Sequence, residues 1–125
     1  RMVDEEIEAL LRRGMWMGKD GPPSWALTVD QLNAVLDKLQ QLGVPILGGD
    51  LYEHVGGVLR SAYMSWYSDL KADETEAEYA CRSVAETREY LKSIAEIANK
   101  YLYVAVIGEC RTREPVGRIP NLMDE

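Results

Sequence analysis

The chain has 125 residues, which suits one domain and is long enough to bury a hydrophobic core without disulfides or metals. Its formal net charge of −7 at pH 7 argues against sequence-independent binding to nucleic acid and against binding to anionic membranes. The charge favours a basic partner, although solubility alone also explains it. With no secretion signal and no C-x-x-C motif, we expect a cytoplasmic protein whose two cysteines stay reduced.

Two helices are predicted in the first third of the chain. Acidic residues begin and arginines end the segment Val3–Arg13, an arrangement that complements the helix dipole. Thr28 and Gln31 form a capping box, in which each side chain accepts a hydrogen bond from the backbone N–H of the other residue. The helix that follows extends to about Leu42, with apolar residues at helical spacing, and Gly43 ends it.

A β-hairpin is predicted next. Val44–Tyr52 is its first strand, Glu53–Gly57 its turn and Val58–Tyr67 its return strand. Gly48 and Gly49 inside a strand indicate a bulge or the close approach of another backbone. Strict alternation predicts two faces, one with Ile46, Gly48, Asp50 and Tyr52 and the other with Leu47, Gly49 and Leu51.

A second capping box, Thr75 to Glu78, opens a long helix that is predicted to end near Lys100. Its predicted buried stripe includes Ala77, Ala80, Cys81, Val84, Leu91, Ile94, Ala95 and Ala98. Tyr101–Ile107 is a nearly continuous apolar run of β-forming residues and is predicted to be a central strand.

The predicted order α-α-β-β-α-β indicates an α+β fold, with a small, mostly antiparallel sheet of about three strands packed by helices. We expect a single domain over residues 1–125, in which residues 2–108 form the core and residues 109–125 an irregular tail. No motif indicates a cofactor, and one histidine with two distant cysteines does not supply a zinc site.

The sequence favours a binding protein over an enzyme. The only histidine, His54, lies in the predicted turn, and Cys81 lies on the predicted buried stripe, where a thiol is inert. A catalytic Cys81–His54 pair, or carboxylates near Asp50 and Asp69, are kept as the alternative, which predicts a deep pocket lined by those groups. A third alternative is a homodimer formed through an exposed hairpin edge.

Aromatic and acidic residues cluster along the hairpin and the segment after it. Such residues are typical of the apolar centre and charged rim of a protein interface. Because the chain has no Phe, the same aromatics also have to pack the core, and Trp66 fits the core better than a contact. The candidate partner-binding residues are Asp50, Tyr52, Glu53, Trp66, Tyr67, Asp69 and Asp73.

Four segments carry a family resemblance: Trp25-Ala26-Leu27, the capped helix after it, Val44–Tyr52, and Ser65–Asp69 ahead of the long helix. In these segments the chain resembles immunity protein family 40, bacterial antitoxins of polymorphic toxin systems. The resemblance spans roughly Ser24 to Ile107, and its most specific parts are the Gly-Gly-Asp strand and the Trp-Tyr pair, although Ser65 stands where the family pattern has Asn. It implies a non-enzymatic α+β protein that binds and neutralises a cognate toxin domain. From the net charge we expect that toxin domain to have a basic surface, and we expect binding to occlude its active site. The positions that match the family motifs are Trp25, Gly48, Gly49, Asp50 and Trp66.

Overall fold

The computed structural model describes residues 2–18 and 24–108. The predicted α+β class and the order of its main elements are confirmed. The predicted tail, residues 109–125, lies outside the described residues. The elements are α1 (Met2–Leu11), β1 (Met15–Trp16), β2 (Trp25–Ala26), α2 (Val29–Leu42), β3 (Ile46–Val55), β4 (Val58–Tyr67), α3 (Glu76–Ser93) and β5 (Leu102–Ile107), with a short 3-10 helix at Ala98–Lys100.

Both predicted capping boxes are present. Thr28 and Thr75 each accept a hydrogen bond from the backbone three residues later, and the Gln31 and Glu78 side chains bond back to the cap. Gly43 ends α2 in the left-handed conformation, with φ of 70°. The third helix ends at Ser93, earlier than predicted, and turns lead from it into the 3-10 helix.

The main sheet has three antiparallel strands in the order β4-β3-β5. Two short strands, β1 and β2, form a separate ribbon that the sequence did not predict. Leu27 attaches this ribbon to the free edge of β5, since Leu27 and Tyr103 exchange two backbone hydrogen bonds of 2.8 and 2.7 Å.

The core lies between one face of the sheet and helices α2 and α3. The inner side chains of the sheet include Leu51, Trp66 and Tyr103, which are buried together with the apolar stripe of α2. On the opposite face, Asp50, Tyr67 and Val106 are exposed. The sheet therefore has a covered inner face and an open outer face, as is common for small antiparallel sheets.

The buried stripe of α3 differs from the prediction. Cys81 and Ala77 are exposed, whereas Ser83 and Thr87 are fully buried. The Ser83 hydroxyl accepts a hydrogen bond from the Ile46 N–H, and the Thr87 hydroxyl accepts one from the Trp66 indole N–H. Because both hydroxyls are hydrogen-bonded, these two polar residues can be buried where the apolar pattern predicted Cys81. The predicted burial of Cys81 is thus wrong.

A bulge also changes the predicted faces of β3. The pairing with β5 shifts between Ile46 and Gly48, so that Leu47 is the extra residue. As a result Ile46 is fully buried beside Leu51, while Leu47 is 37% exposed. The predicted alternation holds from Gly48 onward, since Gly48 pairs with the outer-face residues Tyr67 and Val106. It fails at Leu47 and Ile46, because an extra residue reverses the side of the residues that precede it.

Candidate functional site

The Gly48-Gly49 pair allows β3 to approach its neighbours closely. A Cβ atom on Gly49 would lie 2.5 Å from the Val104 carbonyl oxygen and 2.5 Å from the ring of Trp66. A Cβ atom on Gly48, whose φ is 151°, would lie 2.3 Å from the Trp66 carbonyl oxygen. Both glycines are thus required by the backbone, as the sequence predicted for a bulge or close approach.

Trp66 fills the space above Gly49 and is only 7% exposed. Its ring stacks on Tyr90 with centroids 5.6 Å apart and meets Tyr103 edge to face. Its indole N–H donates to the hydroxyl of Thr87 at 2.8 Å. The structure therefore places Trp66 in the core, where it joins the hairpin to α3.

Asp50 and Tyr67 lie on the open outer face of the sheet. Asp50 is exposed in the central strand, between Ser65 of β4 and Val104 of β5. Tyr67 is 75% exposed. Both line an open depression of about 260 Å³, and Asp69 is not among its lining residues. These two predicted site residues are brought together, on a surface with the chemistry of a protein interface.

The remaining predicted residues of the hairpin lie apart from this depression. Tyr52 is half-buried and is paired with Ser61 of β4. Glu53 follows Tyr52 in the strand, so the two side chains point to opposite faces of the sheet. Glu53 forms an ion pair with Arg60 at 3.3 Å. An exposed pair of this kind contributes little to the free energy of unfolding. Because of the pair, however, the Glu53 charge is partly neutralised within the hairpin.

Asp69 and Asp73 are exposed in the segment between β4 and α3. Arg82 of α3 fixes this segment, because its guanidinium donates to the Asp69 carbonyl oxygen and to both carboxylate oxygens of Glu74. It also donates to Glu86 at 3.1 Å. The two aspartates are therefore presented by a loop that is held against the helix.

The Arg82 guanidinium lowers the pKa of Glu74 to about 2 through these hydrogen bonds, and Glu74 in turn raises the pKa of Arg82. Burial raises the pKa of the Tyr79 hydroxyl, and the Asp69 carboxylate adds to that rise. Tyr79 donates its hydroxyl proton to the carbonyl oxygen of Ser68. The Arg82–Glu74 ion pair and the Tyr79–Ser68 hydrogen bond therefore hold both ends of the segment between β4 and α3 against the helix.

A cleft beside this loop was not found from the sequence. It has a volume of about 450 Å³ and is lined by Pro45, Leu47, Leu70, Glu76, Tyr79, Ile107 and Gly108. Its walls come from the start of β3, the end of β5 and the start of α3. Leu47 lines this cleft because the bulge in β3 turns its side chain outward. Strand alternation in the sequence did not predict this orientation.

The groups proposed for the catalytic alternative do not form a site in the described residues. His54 lies exposed near the hairpin turn and Cys81 lies exposed on α3, and no hydrogen bond links them. Within residues 2–18 and 24–108, no cluster of His, Cys, Asp and Glu is placed to hold a metal ion. Over the same ranges, none of the helices has the length and apolar character needed to cross a membrane.

Trp25, the remaining motif residue, lies in the small ribbon. It is half-buried, and its ring meets that of Trp16 edge to face at 5.4 Å. The residue two positions later, Leu27, is fully buried and bonds to Tyr103. The Trp-Ala-Leu segment thus attaches the N-terminal ribbon to the sheet.

A family model described as Immunity protein 40 matches residues 16–107, which is most of the chain. No curated protein and no solved structure matches the chain. The matched span contains the Gly48-Gly49-Asp50 segment, Trp66 and Trp25, the residues on which the resemblance was based. The chain belongs to the immunity protein 40 family.

Proposed function

We propose that this chain is the antitoxin of a polymorphic toxin system, and that it neutralises its cognate toxin domain by binding over the active site. Binding alone is sufficient for this function, and the chain catalyses no step. We further propose that it acts in the cytoplasm. The observation that carries the proposal is the open sheet face, where Asp50 and Tyr67 are exposed around one depression in a chain of this family.

The rigid support of this face favours a preformed interface. On the inner side of the sheet, the hydrogen bond from Trp66 to Thr87 joins β4 to α3. Arg82 of the same helix bonds to the Asp69 carbonyl oxygen and so holds the loop that carries Asp69 and Asp73. A surface that is ordered before binding loses little conformational entropy when the partner docks. Exposed tyrosines of this kind are frequent binding hot spots because they bury a large area with few rotatable bonds.

The charges of the face and of the adjacent loop before α3 favour a basic partner. Asp50, Asp69 and Asp73 form no ion pair among the described residues, and the whole chain carries −7. Unneutralised acids accelerate encounter with a basic surface and disfavour acidic competitors. A toxin domain with a basic substrate groove fits this surface, since the carboxylates would then pair with its Lys and Arg residues.

Co-expression with the toxin domain encoded beside this gene tests the proposal. We expect the chain to restore growth of cells that express the toxin and to co-purify with it. A charge reversal at the centre of the face, Asp50→Lys, should weaken both effects, whereas the matched reversal Glu96→Lys on an exposed position after α3 should not. Failure of the unchanged chain to restore growth and to co-purify would refute the function.

A further inference from the structure

Two depressions adjoin at Leu47, which lines both of them. We consider them together and name them the Leu47 groove. One part, of about 450 Å³, lies between the start of β3 and the loop before α3, and the other, of about 260 Å³, lies over the strands near Asp50. Three of its lining residues have exposed aliphatic side chains: Leu47, Leu70 and Val106.

These three side chains are exposed by 37%, 49% and 48% respectively, although each is large and aliphatic. They come from three different elements, so their proximity is a property of the fold and not of one sequence segment. Neighbouring exposed apolar side chains with polar residues at the rim mark protein interaction sites. The groove therefore offers an apolar surface that gains free energy when a partner covers it.

Backbone hydrogen bonds fix the walls of the groove to one another. The Ser68 N–H donates to the Leu47 carbonyl oxygen at 2.9 Å, and the Gly108 N–H donates to the Pro45 carbonyl oxygen at 2.9 Å. Tyr79, which lines the groove, bonds to the Ser68 carbonyl oxygen. The groove is thus present before any partner binds, and no wall has to be ordered on docking.

Each part of the groove has one acidic lining residue. Asp50 lines the smaller part and Glu76 the larger, and neither carboxylate has an ion-pair partner among the described residues. The nearby guanidinium of Arg82 is already bonded to Glu74 and Glu86. An apolar surface with two unneutralised acids is complementary to an apolar side chain flanked by cations.

We propose that the Leu47 groove receives a large apolar side chain of the toxin domain, with Lys or Arg residues on either side of it pairing with Asp50 and Glu76. This inference rests on the proposed function and names one contact of its interface. A second copy of this chain is a poor occupant, because it would bring its own net charge of −7 to the same acids.

Calorimetric titration of the toxin domain encoded beside the gene into the full chain tests the groove. We expect Leu70→Ala and Leu47→Ala each to weaken the affinity by about 10-fold or more, as truncation of an interface hot spot does. Val58→Ala, at the exposed first residue of β4 beside the hairpin turn, is the matched control and should bind like the unchanged chain. Thermal melting of each variant shows whether it is folded.

The acidic lining residues are tested by neutral variants. Asp50→Asn and Glu76→Gln should weaken binding and reduce its dependence on salt, whereas Glu96→Gln should do neither. If the unchanged chain binds the toxin and the two leucine variants bind as tightly as Val58→Ala, the groove inference is overturned and the proposed function stands. If the unchanged chain does not bind, both fall. A dimer seen by light scattering and abolished by Leu70→Ala would assign the groove to self-association and overturn the inference.

Discussion

The indole N–H of Trp66 donates a buried hydrogen bond of 2.8 Å to the hydroxyl of Thr87, and this bond joins the outermost strand of the sheet to α3. Thr87 in turn donates to the Ser83 carbonyl oxygen one helical turn earlier. Ser83 accepts a hydrogen bond from the Ile46 N–H at 3.0 Å. Two hydroxyls of one helix therefore satisfy polar groups of two strands, directly beneath the open face.

Replacing Thr87 by Val should destabilise the protein. The two side chains have the same shape, but valine leaves the buried indole N–H of Trp66 without its acceptor, which costs about 1–3 kcal/mol. Urea denaturation of Thr87→Val measures this loss of unfolding free energy. Ser93→Ala, which removes an exposed hydroxyl near the end of α3, is the control and should change stability by less than about 0.5 kcal/mol. Equal stability of Thr87→Val and the unchanged chain would contradict the assigned role of the bond.

Gly49→Ala should destabilise the sheet at its centre. The added methyl group would lie 2.5 Å from both the Val104 carbonyl oxygen and the Trp66 ring, so strand spacing or the ring position has to change. Overpacking of this kind typically costs about 1–3 kcal/mol. In the hairpin turn, Gly56→Asn is the control, since Asn tolerates a φ of 59° and nothing lies within 4 Å of an added Cβ atom. If Gly49→Ala and Gly56→Asn melt at the same temperature, the strands do not approach each other at Gly49 as closely as the structure shows.

Local signals were sufficient to predict most of the fold. The capping boxes at Thr28 and Thr75 are encoded in four residues each, and the double glycine of β3 shows directly that its neighbours come close. The ribbon of β1 and β2 escaped prediction because two residues per strand give no alternation to detect. The early end of α3 also escaped, since apolar residues continue at helical spacing beyond Ser93.

The candidate site was less predictable than the fold. Asp50 and Tyr67 were predicted as partner-binding residues, but strand alternation alone did not show that both are exposed on one face of the sheet. The face of α3 was placed wrongly at Cys81, because hydrogen bonding to strand groups, invisible in the sequence, favours burial of Ser83 and Thr87. The Leu47 groove depends on a bulge and on three separate elements, so only the assembled structure brings its walls together.

Acid should weaken the attachment of the loop before α3. The folded pKa of Glu74 is about 2, below the ordinary value of 4.5, because Arg82 bonds to the carboxylate. Its stabilising effect is therefore complete above pH 4.5 and is lost as the pH falls toward 2. The pKa of Glu86 is also lowered, chiefly by the hydrogen bond from the Ser68 hydroxyl and further by Arg82, so its effect on stability has the same direction.

Unfolding free energies of the unchanged chain and of Glu74→Gln, measured from pH 7 to pH 2, test this dependence. We expect a difference at neutral pH that shrinks below pH 4.5, since protonation removes the ion pair that the variant already lacks. Glu96→Gln should follow the unchanged chain over the whole range. A difference between Glu74→Gln and the unchanged chain that does not vary with pH would show that the ion pair has no part in stability.

Cys81 should react with a thiol reagent while the protein is folded. Its side chain is exposed on α3, and exposure is the first requirement for reaction of an ordinary thiol. In a Cys110→Ser background, we expect one thiol per chain to be modified without denaturant, and none in Cys81→Ser, Cys110→Ser. If Cys81 is modified only after unfolding, its side chain is buried, as the apolar stripe predicted, and the exposure seen in the structure is wrong.

The central claim is that the toxin domain docks on the open face of the sheet and in the Leu47 groove. Methyl NMR of the full chain, with Leu and Val methyl groups labelled, tests it most directly as the toxin domain is added. We predict large shift changes for Leu47, Leu70 and Val106, which are exposed on that surface, and none for Val58 beside the hairpin turn. Changes that include Val58 and spare the three groove residues would contradict the claim.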